Sequence, residues 1–354
     1  MTDTSASARL SPLTVPFTPR LNPAAERSRR HTLRWLRRFG MLEEESSAVL
    51  EYDALRLERL MAYFYPDASP HDLDLAADLN AWFFVFDDQF DGELGRRPDE
   101  VTAVVEAVVR TMYEDGPLPL SPLTPLTAGF RDIWVRSTAG TPVLWRHRFR
   151  THWRAYLRAY RWEARNRTGA SLPPLQEFLR GRRESIGVQP CLDFLERCGG
   201  YALPGELHAG FPLAEMRRIT ADVVIFVNDI VSLDKELAVG DVNNSVVVLR
   251  HDLGCGLEEA VRRIAATSNS RVARFRHLAA GLPAALAASG VPPLVAKQVM
   301  RYVSGMRNLM RGTLEWSLET TRYDTTGIAA VSLGRERPWA HLTTPGAPAA
   351  PQRS

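Results

Sequence analysis

Apolar residues return every three or four positions through most of the chain between residues 50 and 323, and no sustained apolar–polar alternation interrupts them. A chain with that period buries its apolar faces by packing helix on helix, so the pattern predicts an all-α fold. Helical stretches are expected near residues 50–62, 72–92, 98–114, 141–168, 174–186, 213–239, 256–280 and 292–323. Trp145, Phe149, Trp153, Tyr156 and Tyr160 form an aromatic stripe on one helix face, best read as core. Val299, Val303, Met306, Met310 and Thr313 repeat the arrangement in a helix that begins at Pro292 and Pro293 and is expected to reach Tyr323. The best local strand signal, VNNSVVVL after Gly240, has no partner run and is read as a connection between helices.

No repeat and no Pro/Gly-rich linker divides this pattern, so residues 26–330 are expected to form one domain. Residues 1–25 read as an extended arm through Pro16, Pro19 and Pro23, and residues 331–354 as a disordered tail. A hydrophobic content of 45% is ample for a large core, while a net charge of +3 argues against a nucleic-acid partner. Arginine supplies 42 of the 44 basic residues, so the two lysines, Lys235 and Lys297, stand out. Three cysteines without C-x-x-C spacing argue against disulfides or a thiolate metal site and fit a reducing cytoplasm. No apolar run is long enough to span a membrane.

Four motifs can carry chemistry. In FFVFDDQFDGE, Asp87 and Asp91 lie one helical turn apart, roughly 6 Å along the axis, so both carboxylates face one way at the end of an apolar helix. Such a pair repels itself unless a cation lies between, and oxygen ligands without nearby Cys or His favour Mg²⁺. In VNDIVSLDKE, Asn228, Ser232 and Glu236 stand at i, i+4 and i+8, a second line of hard ligands, with Lys235 beside it to reach a phosphate. In GRRESIGVQP, Pro190 and Gly187 are expected to break the helix bearing Arg183, exposing carbonyl dipoles near Ile186 and Gly187 while Arg183 grips a phosphate through its planar fork. In EWSLETTRYD, Arg322 and Tyr323 are adjacent donors at a helix end, and Trp316, two turns earlier, either lines the same cavity or packs the core. Taken singly these are an acidic helix end, a polar stripe, a proline kink and a surface pair; their combination is far more specific.

With these residues assembled, the chain resembles the bacterial class I terpene synthases over about residues 12–330. Asp87, Asp88 and Asp91 match the aspartate-rich motif, Asn228, Ser232 and Glu236 the NSE triad, and Arg322–Tyr323 the RY pair. Arg183 matches the diphosphate sensor, with Ile186 as linker and Gly187 as effector. The resemblance implies a single-domain helical bundle around an apolar pocket, three Mg²⁺ ions held by Asp87, Asp91 and the triad, and Asp88 supporting a neighbouring side chain. It implies a diphosphate site at Arg183, Lys235, Arg322 and Tyr323, with Phe83, Phe84, Phe226 and Trp316 lining the pocket. The expected reaction is ionisation of a linear isoprenoid diphosphate and cyclisation of the carbocation. Farnesyl diphosphate, giving a sesquiterpene, is the first expectation for substrate. Geranylgeranyl diphosphate, giving a diterpene, is the alternative, and a chain-elongating prenyl diphosphate synthase the remoter one. No D-x-D-D motif of the alkene-protonating cyclases occurs. A homodimer is compatible with the resemblance.

Overall fold

The computed structural model describes residues 9–43, 46–113, 123–169, 172–325, 327–328, 337–339 and 342–343. Among the described residues these α-helices follow one another: α1 Ala25–Arg38, α2 Ser46–Ala54, α3 Leu57–Phe64, α4 Pro70–Asp87, α5 Pro98–Thr111, α6 Pro125–Thr138, α7 Val143–Thr168 and α8 Leu175–Ser185, then α9 Val188–Gly199, α10 Gly205–Ala209, α11 Leu213–Val231, α12 Leu233–Val239, α13 Ser245–Leu253, α14 Leu257–Ala288 and α15 Pro293–Glu319. Among the described residues there is no strand, and no helix is long and apolar enough to cross a membrane.

The central element is α4. Ser69 caps it by accepting from the Asp72 amide, Pro70 opens its first turn, and its residues from Leu73 to Phe83 are buried. Such a helix, buried nearly all round, belongs inside a bundle, where its Asp74 and Asp78 find partners on α1. The aromatic stripe of α7 packs against it: Trp153 stacks on Phe83 at 4.8 Å, and Trp82 stacks on Phe86 at 4.5 Å within α4. All five stripe residues are buried, as are Val299, Val303, Met306, Met310 and Thr313 of α15.

Several boundaries differ from the sequence pattern. The expected helix near residues 50–62 is two helices, because Arg56 takes a left-handed conformation at φ +53°. α15 stops at Glu319 instead of Tyr323, since Thr320 turns extended and its hydroxyl bonds the Leu55 carbonyl at 3.0 Å. VNNSVVVL is not merely a connection: Asn244 accepts from the Val246 amide at 2.8 Å and starts α13. The helix α1 escapes the apolar pattern because its inward face uses Ser28 and Thr32, which donate to Asp74 and Asp78 at 2.8 Å each.

The two termini bear on the core. Residues 13–22 of the arm run without helix, while Leu13 and Val15 are buried; Thr14 donates to Asn269 of α14 and Arg311 of α15 donates to the Val15 carbonyl. Residues 1–8 of the arm lie outside the described residues, as do 331–336, 340–341 and 344–354 of the tail. Where the tail is described, the expectation of disorder is corrected: Trp339 is only 2% exposed and packs edge-on against Tyr52 at 5.9 Å. An indole buried that far supplies the apolar burial that the surrounding Pro/Ala/Thr composition lacks.

Candidate active site

A cavity opens between α3, α4, α7, the α8–α9 junction, α11, α12 and α15. Its inner wall is apolar and aromatic, with Leu60, Met61, Phe64, Phe83, Phe84, Val188, Val224 and Trp316, while its mouth carries the charged motifs. Two polar walls face each other there.

The first wall is the end of α4. The α-helix ends at Asp87 and not near residue 92 as the pattern predicts, and Asp91 follows a 3₁₀ turn, yet both carboxylates line the cavity. Asp87 is 47% exposed, into the cavity, and accepts from the Tyr160 hydroxyl at 3.2 Å and from Arg322 at 3.4 Å. Burial and the nearby Asp91 charge push its carboxyl above the ordinary range. Asp91 pairs with Lys235 at 3.0 Å. A tight 3₁₀ turn over Asp88–Phe90 sends Asp88 the other way, into the protein, where it accepts from Arg322 at 2.8 Å and from the Trp339 indole at 2.9 Å. Burial would raise the Asp88 carboxyl, but Arg322 and Lys235 outweigh it and hold it below the usual range. Asp88 therefore supports Arg322, as the resemblance implies.

The second wall is α11 running into α12. The helix bends at Ser232, yet the Ser232 amide still bonds the Asn228 carbonyl and the Glu236 amide the Ser232 carbonyl, so the three side chains keep their common face and all line the cavity. The Ser232 hydroxyl is buried with no hydrogen-bond partner. Burial, and then Asp229 and Asp241, push the Glu236 carboxyl up to about 8, and Asn244 donates to it at 2.6 Å. Asn228 donates to the Tyr323 hydroxyl at 3.2 Å, and Arg322 lies over the Phe84 ring at 4.9 Å, so the C-terminal turn closes the mouth against both walls.

The structure corrects two assignments. Arg183 does not reach the cavity: its guanidinium turns outward to Asp222 at 2.6 Å. Its neighbour Arg182 lines the cavity instead, buried among Asp229 at 2.9 Å, Asn228 at 3.0 Å and Glu163 at 3.5 Å. One residue is a 100° step about a helix, and Leu175, Leu179, Arg182 and Ile186 share the inward stripe of α8. That spacing of four, three and four was the available signal. Phe226 is fully buried but faces the core, because the cavity face of α11 passes through Val224 and Asn228, half a turn away on either side. Phe83, Phe84 and Trp316 do line the cavity, as expected.

The helix break falls where Gly187 and Pro190 predict: α8 ends at Ser185, Gly187 adopts φ +73°, and α9 begins at Val188. A Cβ at Gly187 would lie 3.2 Å from Phe83 and 3.4 Å from Tyr156, so only glycine meets both the backbone and the space. Among the lining residues missed as site residues, three lie along the aromatic stripe of α7. Tyr156 and Tyr160 read as core, and Glu163 continues their stripe as the one carboxylate of an Arg-rich helix. Burial pushes Glu163 up to about 7 against the pull of Arg167 and Arg182. A separate buried group, Asp193, Glu196 and His208, is closed by arginines: Arg148 binds both carboxylates and Arg217 donates to His208 Nδ1 at 2.7 Å.

The model of terpene synthase family 2, C-terminal metal binding, matches residues 78–274, which carry both polar walls. The chain is 62% identical over 346 residues to pristinol synthase of Streptomyces pristinaespiralis, covering 97% of this chain and 93% of that protein. The chain belongs to the terpene synthase family. This terpene synthase is also 52% identical over 342 residues to isoafricanol synthase of Streptomyces malaysiensis, covering 93% of this chain and 85% of that one. A germacradien-4-ol synthase structure from Streptomyces citricolor matches with TM-score 0.77 and 31% identity, covering 87% of this chain and 98% of that one. The terpene synthase is accordingly an all-helical lyase acting on an isoprenoid diphosphate, with a metal-binding domain.

Proposed function

We propose that this terpene synthase converts farnesyl diphosphate to a cyclic sesquiterpene with Mg²⁺, three ions per site. Asp87 and Asp91 hold metal on one wall, and Asn228, Ser232 and Glu236 hold it on the other. Arg182, Lys235, Arg322 and Tyr323 receive the diphosphate. The observation that carries this reading is the pair of facing oxygen-rich walls at the mouth of an apolar cavity. The donor set fits the ion: carboxylate, amide and hydroxyl oxygens without thiolate, with the Ser232 hydroxyl buried and unpartnered. Kinship with sesquiterpene synthases supports the C15 substrate.

Mg²⁺, when bound, supplies positive charge to the diphosphate as the C–O bond breaks. The protein's own groups then divide the work. Lys235 is paired with Asp91 and Arg322 with Asp87 and Asp88, so each cation stands beside the carboxylates that hold metal, where the diphosphate arrives. Arg182, held by Asp229 and Glu163, offers a planar fork from the opposite side. Pre-oriented donors of this kind stabilise a leaving anion without reorganising. The wall of Phe83, Phe84, Tyr156 and Trp316 excludes water from the carbocation and presents aromatic faces to it.

Incubation of the protein with geranyl, farnesyl and geranylgeranyl diphosphates, with Mg²⁺ or with EDTA, followed by gas chromatography–mass spectrometry, tests the reading. A Mg²⁺-dependent cyclic C15 product from farnesyl diphosphate is expected. A cyclic product from geranylgeranyl diphosphate alone would overturn the substrate, and undiminished turnover in EDTA the metal.

A further inference from the structure

The described part of the C-terminal segment is fastened to the aspartate-rich turn. Trp339 donates its indole N–H to Asp88 Oδ2 at 2.9 Å, and its backbone carbonyl accepts from Gln89 Nε2 at 2.8 Å. The Leu342 amide donates to Gln89 Oε1 at 2.8 Å. Behind the indole, Arg337 lies over its ring at 5.9 Å and bonds Glu51 at 2.6 Å. Gln89 is thus gripped on both ends of its amide, and Trp339 is buried with the core.

The bond to Asp88 has a chemical consequence. A carboxylate beside two others at a metal site has two oxygens to give. Trp339 occupies Oδ2 and Arg322 occupies Oδ1 at 2.8 Å. With the indole in place both Asp88 oxygens are taken, and Asp88 is the nearer of the two acceptors of Arg322, at 2.8 Å against 3.4 Å for Asp87. Arg322 is itself buried, with Nη2 on Asp88 and Nη1 without a hydrogen-bond partner. Arg322 lines the cavity, so Nη1 is a buried donor beside it with its hydrogen-bonding capacity unused.

We infer that Trp339 is a positioning residue for the reaction: its N–H commits Asp88 to Arg322, and through Arg322 it sets the donor that receives the diphosphate. The inference rests on the function proposed above. Trp339→Phe keeps an aromatic ring and removes only the N–H. Calorimetric titration with inorganic diphosphate and Mg²⁺ reads binding without turnover, and KM and kcat for farnesyl diphosphate are measured alongside. Trp339→Phe is expected to weaken diphosphate binding about tenfold, the worth of one hydrogen bond to a charged group, and to raise KM with kcat within about threefold. In an Asp88→Asn background the same substitution should add less than about twofold, because the carboxylate through which it acts is gone.

Unchanged diphosphate affinity in folded Trp339→Phe would overturn the inference. So would an equal loss in both backgrounds, which marks lost packing alone. Should Trp339→Phe not fold, Gln89→Met releases the segment's backbone without touching the indole, and it must weaken diphosphate binding in the same direction. A wild-type protein that turns over no isoprenoid diphosphate defeats the proposed function itself, a result distinct from an active wild type with an indifferent Trp339.

Discussion

Arg182→Lys and Arg183→Lys make the same chemical change one residue apart and separate the structural assignment from the one read along the sequence. Arg182 donates to Asp229 at 2.9 Å and Asn228 at 3.0 Å, with Glu163 at 3.5 Å. Lysine keeps the positive charge, so Asp229 and Glu163 are not left as bare buried carboxylates, a state that costs about 3–5 kcal/mol. What lysine cannot keep is the planar fork that holds Asn228 and Asp229 while presenting an N–H to the cavity. Loss of one pre-oriented donor to a developing oxyanion costs about 2.7–4 kcal/mol, a factor of about 10²–10³. Arg182→Lys is therefore expected to lower kcat/KM for farnesyl diphosphate by at least about 10², with Tm within a few degrees of wild type. Arg183→Lys alters a contact to Asp222 outside the cavity, and Asp222 keeps Arg271 at 3.3 Å and Arg218 at 3.4 Å. Its activity should stay within about threefold. Initial rates by gas chromatography–mass spectrometry, with thermal melts on the same preparations, decide the matter. A larger loss from Arg183→Lys, or a wild-type rate from Arg182→Lys, refutes the reasoning.

Asp87→Asn should abolish Mg²⁺-dependent turnover while leaving the melting curve near wild type, since Asp87 faces the cavity and not the core; rates and circular dichroism check both halves. Gly187→Ala should cost about 1–2 kcal/mol in chemical denaturation, because φ is +73° and the new Cβ meets Phe83 at 3.2 Å. Burial raises the Glu58 carboxyl from 4.5 to about 7, so the folded state holds a proton that the unfolded state releases and stability falls as pH rises through that window. Glu58→Gln should therefore stabilise the protein by up to about 3 kcal/mol near pH 8 and hardly at all near pH 4, measured by urea unfolding at each pH.

The parts of the site legible in the sequence are those that one helix determines by itself. Asn228, Ser232 and Glu236 are spaced by whole turns and keep their common direction because the i to i−4 bonds continue through the bend, while Asp87 and Asp91, a turn apart in sequence, reach one cavity across a 3₁₀ turn. Gly187 and Pro190 likewise break a helix through local sterics. The aromatic stripe of α7 was legible as buried, but burial in a protein with a cavity has two destinations, and only packing shows that Tyr156 and Tyr160 border the cavity while Trp145 and Phe149 do not.

The amino-acid pattern alone thus determined the helical class and which residues make up the two polar walls, because these depend on neighbours within a turn or two. Tertiary structure decided which of Arg182 and Arg183 turns inward, which face of α11 shows Val224 and not Phe226, and that Trp339 returns across 251 positions to bond Asp88. A helix's rotation about its own axis is set by the neighbours it packs against, and a contact that distant leaves no periodic trace in the chain that makes it.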